Sequence, residues 1–153
     1  TTEIYTLSLH DALPIYMHLT EALFLHTVAI GWDRRRGGFY YALHWSDRAD
    51  REDRFWWPCA EGIAAAYVLR QMGGDTRFED WYRRIWDFTA NHFIDHAHGG
   101  WFAELDPDLR PIERVFHGKP DLYHAVQACL IPLVPAKGGL VMGLRSQSGH
   151  SIP

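Results

Sequence analysis

Asp33-Arg34-Arg35-Arg36-Gly37-Gly38-Phe39-Tyr40 occurs twice in this sequence, and the repeat indicates the fold. It recurs 62 residues later as Asp95-His96-Ala97-His98-Gly99-Gly100-Trp101-Phe102, with the aspartate, the glycine pair and two aromatic residues in register. The two copies align without a gap from about residue 21 to residue 72. The glycine pair predicts a turn with positive φ, which glycine adopts at no steric cost. The repeat therefore predicts one supersecondary unit that is used twice.

The first unit is predicted to contain two helices joined by the glycine turn and a polar connection. Apolar spacing predicts a helix over 19–31, and the β-prone residues 39–45 predict a short hairpin or extended segment. Residues 46–54 alternate positive and negative charges, which is typical of a solvated loop. Pro58 is expected to open the second helix, which runs to about residue 72 and ends at a Gly-Gly pair.

The second unit shows the clearest helical period in the chain. Thr76 and Glu79 form a capping-box pattern, and apolar residues then follow the i, i+3, i+4 rule as far as residue 92. The next helix, 121–134, is apolar on all sides, as is 63–69 in the first unit, so both are expected to be buried inner helices. The predicted fold is all-α, an arc of a ring of helical hairpins with short β segments.

The chain is expected to be a piece of a larger protein, since about four long helices cannot close such a ring. Residues 1–15 match nothing in the second unit and resemble a translated sequencing adapter, so we expect them to be non-native. The predicted barrel segment is 16–135, and the Gly- and Ser-rich residues 136–153 are expected to form a tail.

Composition excludes several classes of partner for this chain of 153 residues. A formal net charge of −4 argues against nucleic acid, and no apolar run reaches the length of a membrane span. The chain has two cysteines, Cys59 and Cys129. Both lie in apolar stretches and are expected to be buried, reduced thiols, which is typical of a cytoplasmic protein.

The starts of the two inner helices occupy equivalent positions in the repeat and carry the candidate site. They bring a tryptophan pair, two carboxylates and a histidine to the predicted central cavity: Trp56, Trp57, Glu61, Asp121 and His124. Indole faces can stack on a sugar, carboxylates can bind its hydroxyls, and a neutral imidazole can act as a general base. Each residue also has a structural alternative: a core tryptophan, a first-turn helix partner for Glu61, an N-terminal cap for Asp121 and a core histidine for His124.

Three histidines in the second unit, His92, His96 and His98, have a spacing too loose for a metal centre. No cysteine or paired carboxylate accompanies them in the sequence. We expect no metal site and no cofactor there.

One block of the sequence resembles the C-terminal signature of the N-acylglucosamine 2-epimerase family, in particular its mannose and sulfoquinovose isomerase branch. The block reads Gly118-Lys119-Pro120-Asp121-Leu122-Tyr123-His124-Ala125-Val126-Gln127-Ala128. Three further stretches resemble the same branch, within 31–39, 56–61 and 92–102. The resemblance covers roughly residues 17–135 and implies the last third of an (α/α)6 barrel.

The resemblance also implies a reaction. Members of the family carry out metal-free chemistry at C1 and C2 of a monosaccharide, with two histidines as general acid and base and an enediol-type intermediate. One of these falls on His124, the tryptophan pair and glutamate of the pocket fall on Trp56, Trp57 and Glu61, and Asp121 lies within the motif. The partner histidine would precede residue 17. Phe116-His117 stands where the branch often has Trp and a small residue, which leaves the choice of sugar open.

We therefore expect aldose–ketose isomerisation of the mannose-to-fructose type for the parent protein. The alternatives are 2-epimerisation of an N-acylglucosamine or a cellobiose-type end, glycoside hydrolysis by Glu61 and Asp121, and an inactive truncated chain. The oligomeric state stays open.

Overall fold

The computed structural model describes residues 9–134 and 143–146, with side chains from Ile15 onward. Residues 1–8 of the expected non-native segment and all of the expected tail except 143–146 lie outside the described residues. Four helices and five short strands follow in chain order: α1 Leu9–Gly31, β1 Ala42–Leu43, β2 Ala49–Arg51, β3 Arg54–Phe55, α2 Trp56–Gly73, α3 Thr76–His92, β4 Glu104–Leu105, β5 Pro111–Ile112 and α4 Tyr123–Leu130. A 3₁₀ turn, Ile131–Leu133, follows α4.

The repeat seen in the sequence is a repeat in the structure. In the turns 33–38 and 95–100, the N–H of the aspartate donates to the carbonyl of the second glycine at 2.9 Å in both cases. The carboxylates of Asp33 and Asp95 each accept backbone N–H groups two and three residues further on. All four glycines have positive φ, between 73° and 82°, as predicted. The aspartate thus fastens the loop, and the glycines let the chain reverse.

In each turn a cationic side chain pairs with the aspartate, but the two cations do not occupy equivalent positions of the repeat. Arg54 Nη2 lies 2.6 Å from Asp33 Oδ2, and Lys119 Nζ lies 2.6 Å from Asp95 Oδ2. Burial raises the pKa of Asp33, but the backbone N–H groups and Arg54 outweigh it, so the pKa is lowered. The Lys119 ammonium and the backbone N–H groups hold the pKa of Asp95 well below its usual range.

The prediction that 46–54 is a solvated loop is wrong for its last part. Arg54 is fully buried and Asp53 is 6% exposed. Asp53 is paired with Arg51 and Arg114 at 2.9 and 3.0 Å, and the segment also contributes β2 and β3. A charge can be buried where an opposite charge and hydrogen bonds compensate for the lost water. The alternation of positive and negative residues over 46–54 gives no information about these charged partners, because Asp33 and Arg114 lie outside the segment.

The predicted helices are present, with shifted ends. The first begins at Leu9 and not at residue 19, and α2 begins at Trp56, so Pro58 is its third residue. Because the first four N–H groups of a helix lack intrahelical partners, proline is tolerated there too. The end of α2 at Gly73, with Gly74 at φ 72°, is as predicted.

The cap of α3 is Asp75, not Thr76. The Asp75 side chain accepts a hydrogen bond from Arg77 N at 2.8 Å. The Arg77 guanidinium also donates to the Asp75 carboxylate, with Nη2 2.7 Å from Oδ2. Aspartate is as good an N-cap as threonine or better, so the helix begins at Thr76, one residue earlier than the capping-box pattern indicates.

The inner helix α2 packs against α1, α3 and α4, and most of the core lies around it. The prediction that 121–134 is a helix buried on all sides is wrong: α4 ends at Leu130 and buries only Ala125 and Ala128. Cys129, expected to be buried, is exposed on it. Among the described elements, α4 makes its main contacts with α2 and with the 3₁₀ turn that follows it. Cys59 is buried as expected, and burial raises the pKa of its thiol to about 12.

Two small antiparallel sheets connect the helices. The β1 and β2 strands form the hairpin expected after residue 39. The other sheet has the order β3–β4–β5 and combines a strand of the first unit with two of the second. Trp56 N also donates to Ala103 O at 3.3 Å, so the second unit satisfies an N–H at the start of α2. In the described part of the chain, no helix has the length and hydropathy needed to cross a membrane.

Candidate active site

A histidine–glutamate pair lies where α2 and α4 meet. His124 Nδ1, in the first turn of α4, is 2.7 Å from Glu61 Oε1 of α2. The side chains are partly open to solvent, 27% for His124 and 46% for Glu61. The interpretation of Glu61 as a first-turn helix partner is wrong, because α2 begins at Trp56 and Glu61 lies in its second turn. The α2–α4 packing therefore joins two residues that are 63 positions apart in the sequence.

The two tryptophans both lie near the His124 ring but differ in exposure. Their ring centroids are 6.1 Å (Trp56) and 6.4 Å (Trp57) from that of His124. Trp56 is 4% exposed, and its indole N–H has no hydrogen-bond partner among the described residues. Trp57 is 38% exposed. Trp56 is thus a buried neighbour of the imidazole, while the Trp57 side chain is open to solvent.

Asp121 stands apart from the other four candidates. It is exposed in the loop before α4, and its Oδ1 accepts a hydrogen bond from Tyr123 N at 2.9 Å. The contact satisfies the first N–H of α4, but Asp121 is not the N-terminal cap that the sequence left open as an alternative, because the cap position is Leu122. The structure therefore brings together Trp56, Trp57, Glu61 and His124 and leaves Asp121 at the border of the site.

Sequence reasoning missed a buried carboxylate that fixes the neighbouring loop. Glu104 of β4 is fully buried, and its Oε2 accepts N–H bonds from Arg114 and Val115 at 3.1 and 2.8 Å. The next residue, Phe116, then packs edge-on against Trp56, with ring centroids 5.2 Å apart. No local pattern marks Glu104 in the sequence, because its partners lie ten residues away.

A cavity of about 330 Å³ between α1 and α2 reaches the site. It is mostly apolar, and Trp57, Pro58 and Glu61 line one end. A larger cavity, of about 770 Å³, lies between α1 and α3 and does not include His124. The site is therefore identified by its side-chain chemistry and not by the size of its cavity.

The three histidines of the second unit do not converge. His96 Nε2 lies 2.8 Å from the carbonyl oxygen of Ala90, and His98 Nδ1 lies 3.3 Å from Asp95 Oδ2. His92 stacks on a phenylalanine, and burial together with the charge of Arg54 lowers its pKa. Among the described residues, no group of three His, Cys, Asp or Glu side chains could hold a metal ion.

Comparison with known proteins shows which family this chain resembles. A sequence profile of the N-acylglucosamine 2-epimerase family matches residues 7–128. A D-mannose isomerase of Thermobifida fusca is 44% identical over 126 residues, which is 81% of this chain and 31% of that protein. A D-mannose isomerase of Pseudomonas cannabina pv. alisalensis is 40% identical over 123 residues, covering 80% of this chain and 30% of the relative.

Solved structures show the same fold. A crystal structure of a D-mannose isomerase superposes with a TM-score of 0.73 at 28% identity, covering 78% of this chain and 31% of that one. A cellobiose 2-epimerase of Spirochaeta thermophila gives 0.63 at 16% identity, with the same coverage, and shows the fold alone. These relatives are (α/α)6 barrels, so the predicted all-α barrel fold is confirmed. The chain spans about a third of the length of the relatives it matches.

Proposed function

Because the chain belongs to the N-acylglucosamine 2-epimerase family, we propose that residues 16–135 form the last third of a sugar isomerase acting on a monosaccharide such as mannose. The proposed reaction is aldose–ketose isomerisation. It rests on the relatives named D-mannose isomerase and, above all, on the contact between His124 and Glu61 beside an exposed indole face.

The contact supports a specific role for His124. An ionised carboxylate only accepts hydrogen bonds, so Nδ1 of His124 carries the hydrogen that points to Glu61. The lone pair of a neutral imidazole is then on Nε2, which is the atom that removes a proton from the carbon next to the sugar carbonyl. When Nε2 becomes protonated, the Glu61 carboxylate stabilises the positive ring and keeps its orientation.

Isomerisation returns that proton to the neighbouring carbon. His124 takes it from C2 of the aldose and delivers it to C1, while a hydroxyl proton passes from O2 to O1 through the enediol. A second acid must polarise the carbonyl oxygen and stabilise the enediolate. We propose that this group is a histidine of the parent protein upstream of residue 17. The 153-residue chain alone is then expected to be weak or inactive.

The remaining residues of the proposed site bind the sugar. Trp57 stacks on the C–H face of the ring, and Trp56 holds the imidazole in place from its buried position. Asp121 has one carboxylate oxygen taken by Tyr123 N and contributes the other to a hydroxyl group. These steps use side chains alone, so treatment with EDTA is expected to leave the rate unchanged.

A chimera tests the proposal. Residues 16–135 replace the matched third of the D-mannose isomerase of Thermobifida fusca, and ketose formation from D-mannose is followed. We expect activity in the chimera and a loss of about 10²–10⁴-fold in kcat for His124→Ala, the range of general acid–base catalysis. His26→Ala, at an exposed histidine of α1, is the matched control and is expected to have no effect.

The products of the same assay separate the alternatives. An epimeric aldose without ketose would indicate a 2-epimerase. An active chimera that tolerates His124→Ala would contradict the proposed role of the imidazole. Hydrolysis of a glycoside that is lost with Glu61→Gln and kept with His124→Ala would indicate the hydrolase instead.

A further inference from the structure

The larger of the two cavities described above has arginines on two sides. It has a volume of about 770 Å³ and lies between the C-terminal half of α1, the first glycine turn and α3. Arg34, Arg35 and Arg36 of the turn and Arg84 of α3 all contribute to its lining, together with Trp32 and Trp81. The volume is within the range of small-molecule sites.

Two of the turn arginines have no internal partner. The side chains of Arg34 and Arg35 make no hydrogen bond or ion pair with any residue that the structure describes, and both residues are exposed. Arg36 is paired with Asp108 at 3.3 Å. The charge is thus concentrated locally, in a chain whose net charge is −4.

The opposite wall adds a third unmatched cation. Arg84 lies 4.8 Å above the ring of Trp81 and has no carboxylate partner among the described residues. The carboxylate in the lining, Asp33, is already paired with the buried Arg54. Three arginines therefore line the cavity without an ion-paired carboxylate among the described residues.

The second turn shows that the fold does not need these arginines. At the equivalent positions it has His96, Ala97 and His98, yet it forms the same backbone hydrogen bonds and has the same glycine φ values. The same backbone hydrogen bonds and the same aspartate carboxylate make the turn in both units, without the side chains of Arg34 and Arg35. The side chains of Arg34 and Arg35 are therefore available for another role.

We propose that this cavity binds a phosphate group, either free or carried by a small organic molecule. Guanidinium groups match phosphate oxygens with paired N–H donors, and three of them suit a doubly charged phosphate better than a single carboxylate. The Arg84 guanidinium packs on the Trp81 ring, and Arg34 and Arg35 line the same cavity from the turn. The site does not involve His124 and is independent of the proposed isomerase activity.

Calorimetric titration of the whole chain at low ionic strength tests this site. The probes are inorganic phosphate, ribose 5-phosphate and unphosphorylated ribose. We expect saturable binding of the two phosphates and none of ribose. The double variant R34A/R35A and the single variant Arg84→Ala are expected to raise Kd by about tenfold or more, as for the loss of a charge-assisted hydrogen bond.

Arg83→Ala is the matched control, because Arg83 is adjacent on α3 and is paired with Glu79 at 2.7 Å. An unchanged Kd there supports the site, provided that circular dichroism shows all variants folded. Tighter binding of ribose 5-phosphate than of phosphate assigns an organic phosphate, and equal binding assigns the free anion. The proposal is overturned if neither phosphate saturates, or if Arg83→Ala weakens binding as much as Arg84→Ala.

Discussion

The buried pair of Arg54 and Asp33 allows a test of what holds the glycine turn together. Arg54 has no exposed side-chain surface, and its guanidinium donates to Asp33 Oδ2 at 2.6 Å, to Gly37 O at 3.0 Å and to Glu52 O. Arg54→Met keeps most of the volume and removes the charge and all three bonds. Removal of one partner from a buried ion pair costs about 3–5 kcal/mol, because the other charge stays buried without compensation.

The repeat supplies a comparison in the same molecule. Lys119→Met removes the cation from the equivalent turn, where the lysine side chain is 41% exposed. Water can replace it at Asp95, so a smaller loss of stability is expected. The assay is urea unfolding followed by circular dichroism. With a typical slope for a small protein, Arg54→Met corresponds to a midpoint that is lower by roughly 2 M urea.

Equal shifts for Arg54→Met and Lys119→Met would refute the reasoning, since burial would then not be what makes the first pair costly to break. A double-mutant cycle provides a second check. Asp33→Asn in the Arg54→Met background removes the uncompensated charge and should recover part of the loss. Strict additivity of the two substitutions would contradict the pairing as the source of the effect.

Three further outcomes are expected. Because the pKa of Asp95 is lower in the folded state than in the unfolded state, the ionised carboxylate stabilises the fold above about pH 4, and this stabilisation is lost as the pH falls through the folded-state pKa. Asp95→Asn should therefore make the Tm fall less steeply on acidification. Iodoacetamide followed by mass spectrometry should modify Cys129 and spare Cys59 in the native chain and modify both in urea, and two adducts under native conditions would contradict the assigned burial. Both Gly38→Ala and Gly100→Ala cost about 1–2 kcal/mol, because each places a Cβ on a residue in the left-handed region. Gly38→Ala should lower the urea midpoint more than Gly100→Ala. The new Cβ would lie 2.5 Å from an aromatic carbon at position 38, but 3.7 Å from the nearest atom at position 100.

The fold could be predicted from the sequence where local physics decides it. The two glycine turns follow from residues that adopt positive φ, and α3 follows from a 3.6-residue period with one polar face. Both signals are complete within a few residues, so they need no knowledge of the rest of the chain. The end of α2 at Gly73 is of the same kind.

The parts that the sequence did not predict depend on partners distant in the chain. The charge pattern predicts a solvent-exposed Arg54, because nothing near it in the sequence reveals Asp33, 21 residues earlier. Glu61 and His124 were each identified as candidates, but their hydrogen bond appears only when α2 packs on α4. The exposure of Cys129 depends on which elements surround α4, and no sequence pattern within the helix contains that information.

The displaced cation of the second turn has a consequence for how the two units diverge. The position equivalent to Arg54 is Phe116, which packs on Trp56, while Lys119 supplies the charge from the segment that leads to His124. The two copies of the turn thus neutralise their aspartate with different residues, Arg54 in the first and Lys119 in the second. In natural sequences, residue 95 should therefore vary together with residue 119, and residue 33 together with residue 54. An engineered substitution of one member of either pair would need a compensating substitution of the other.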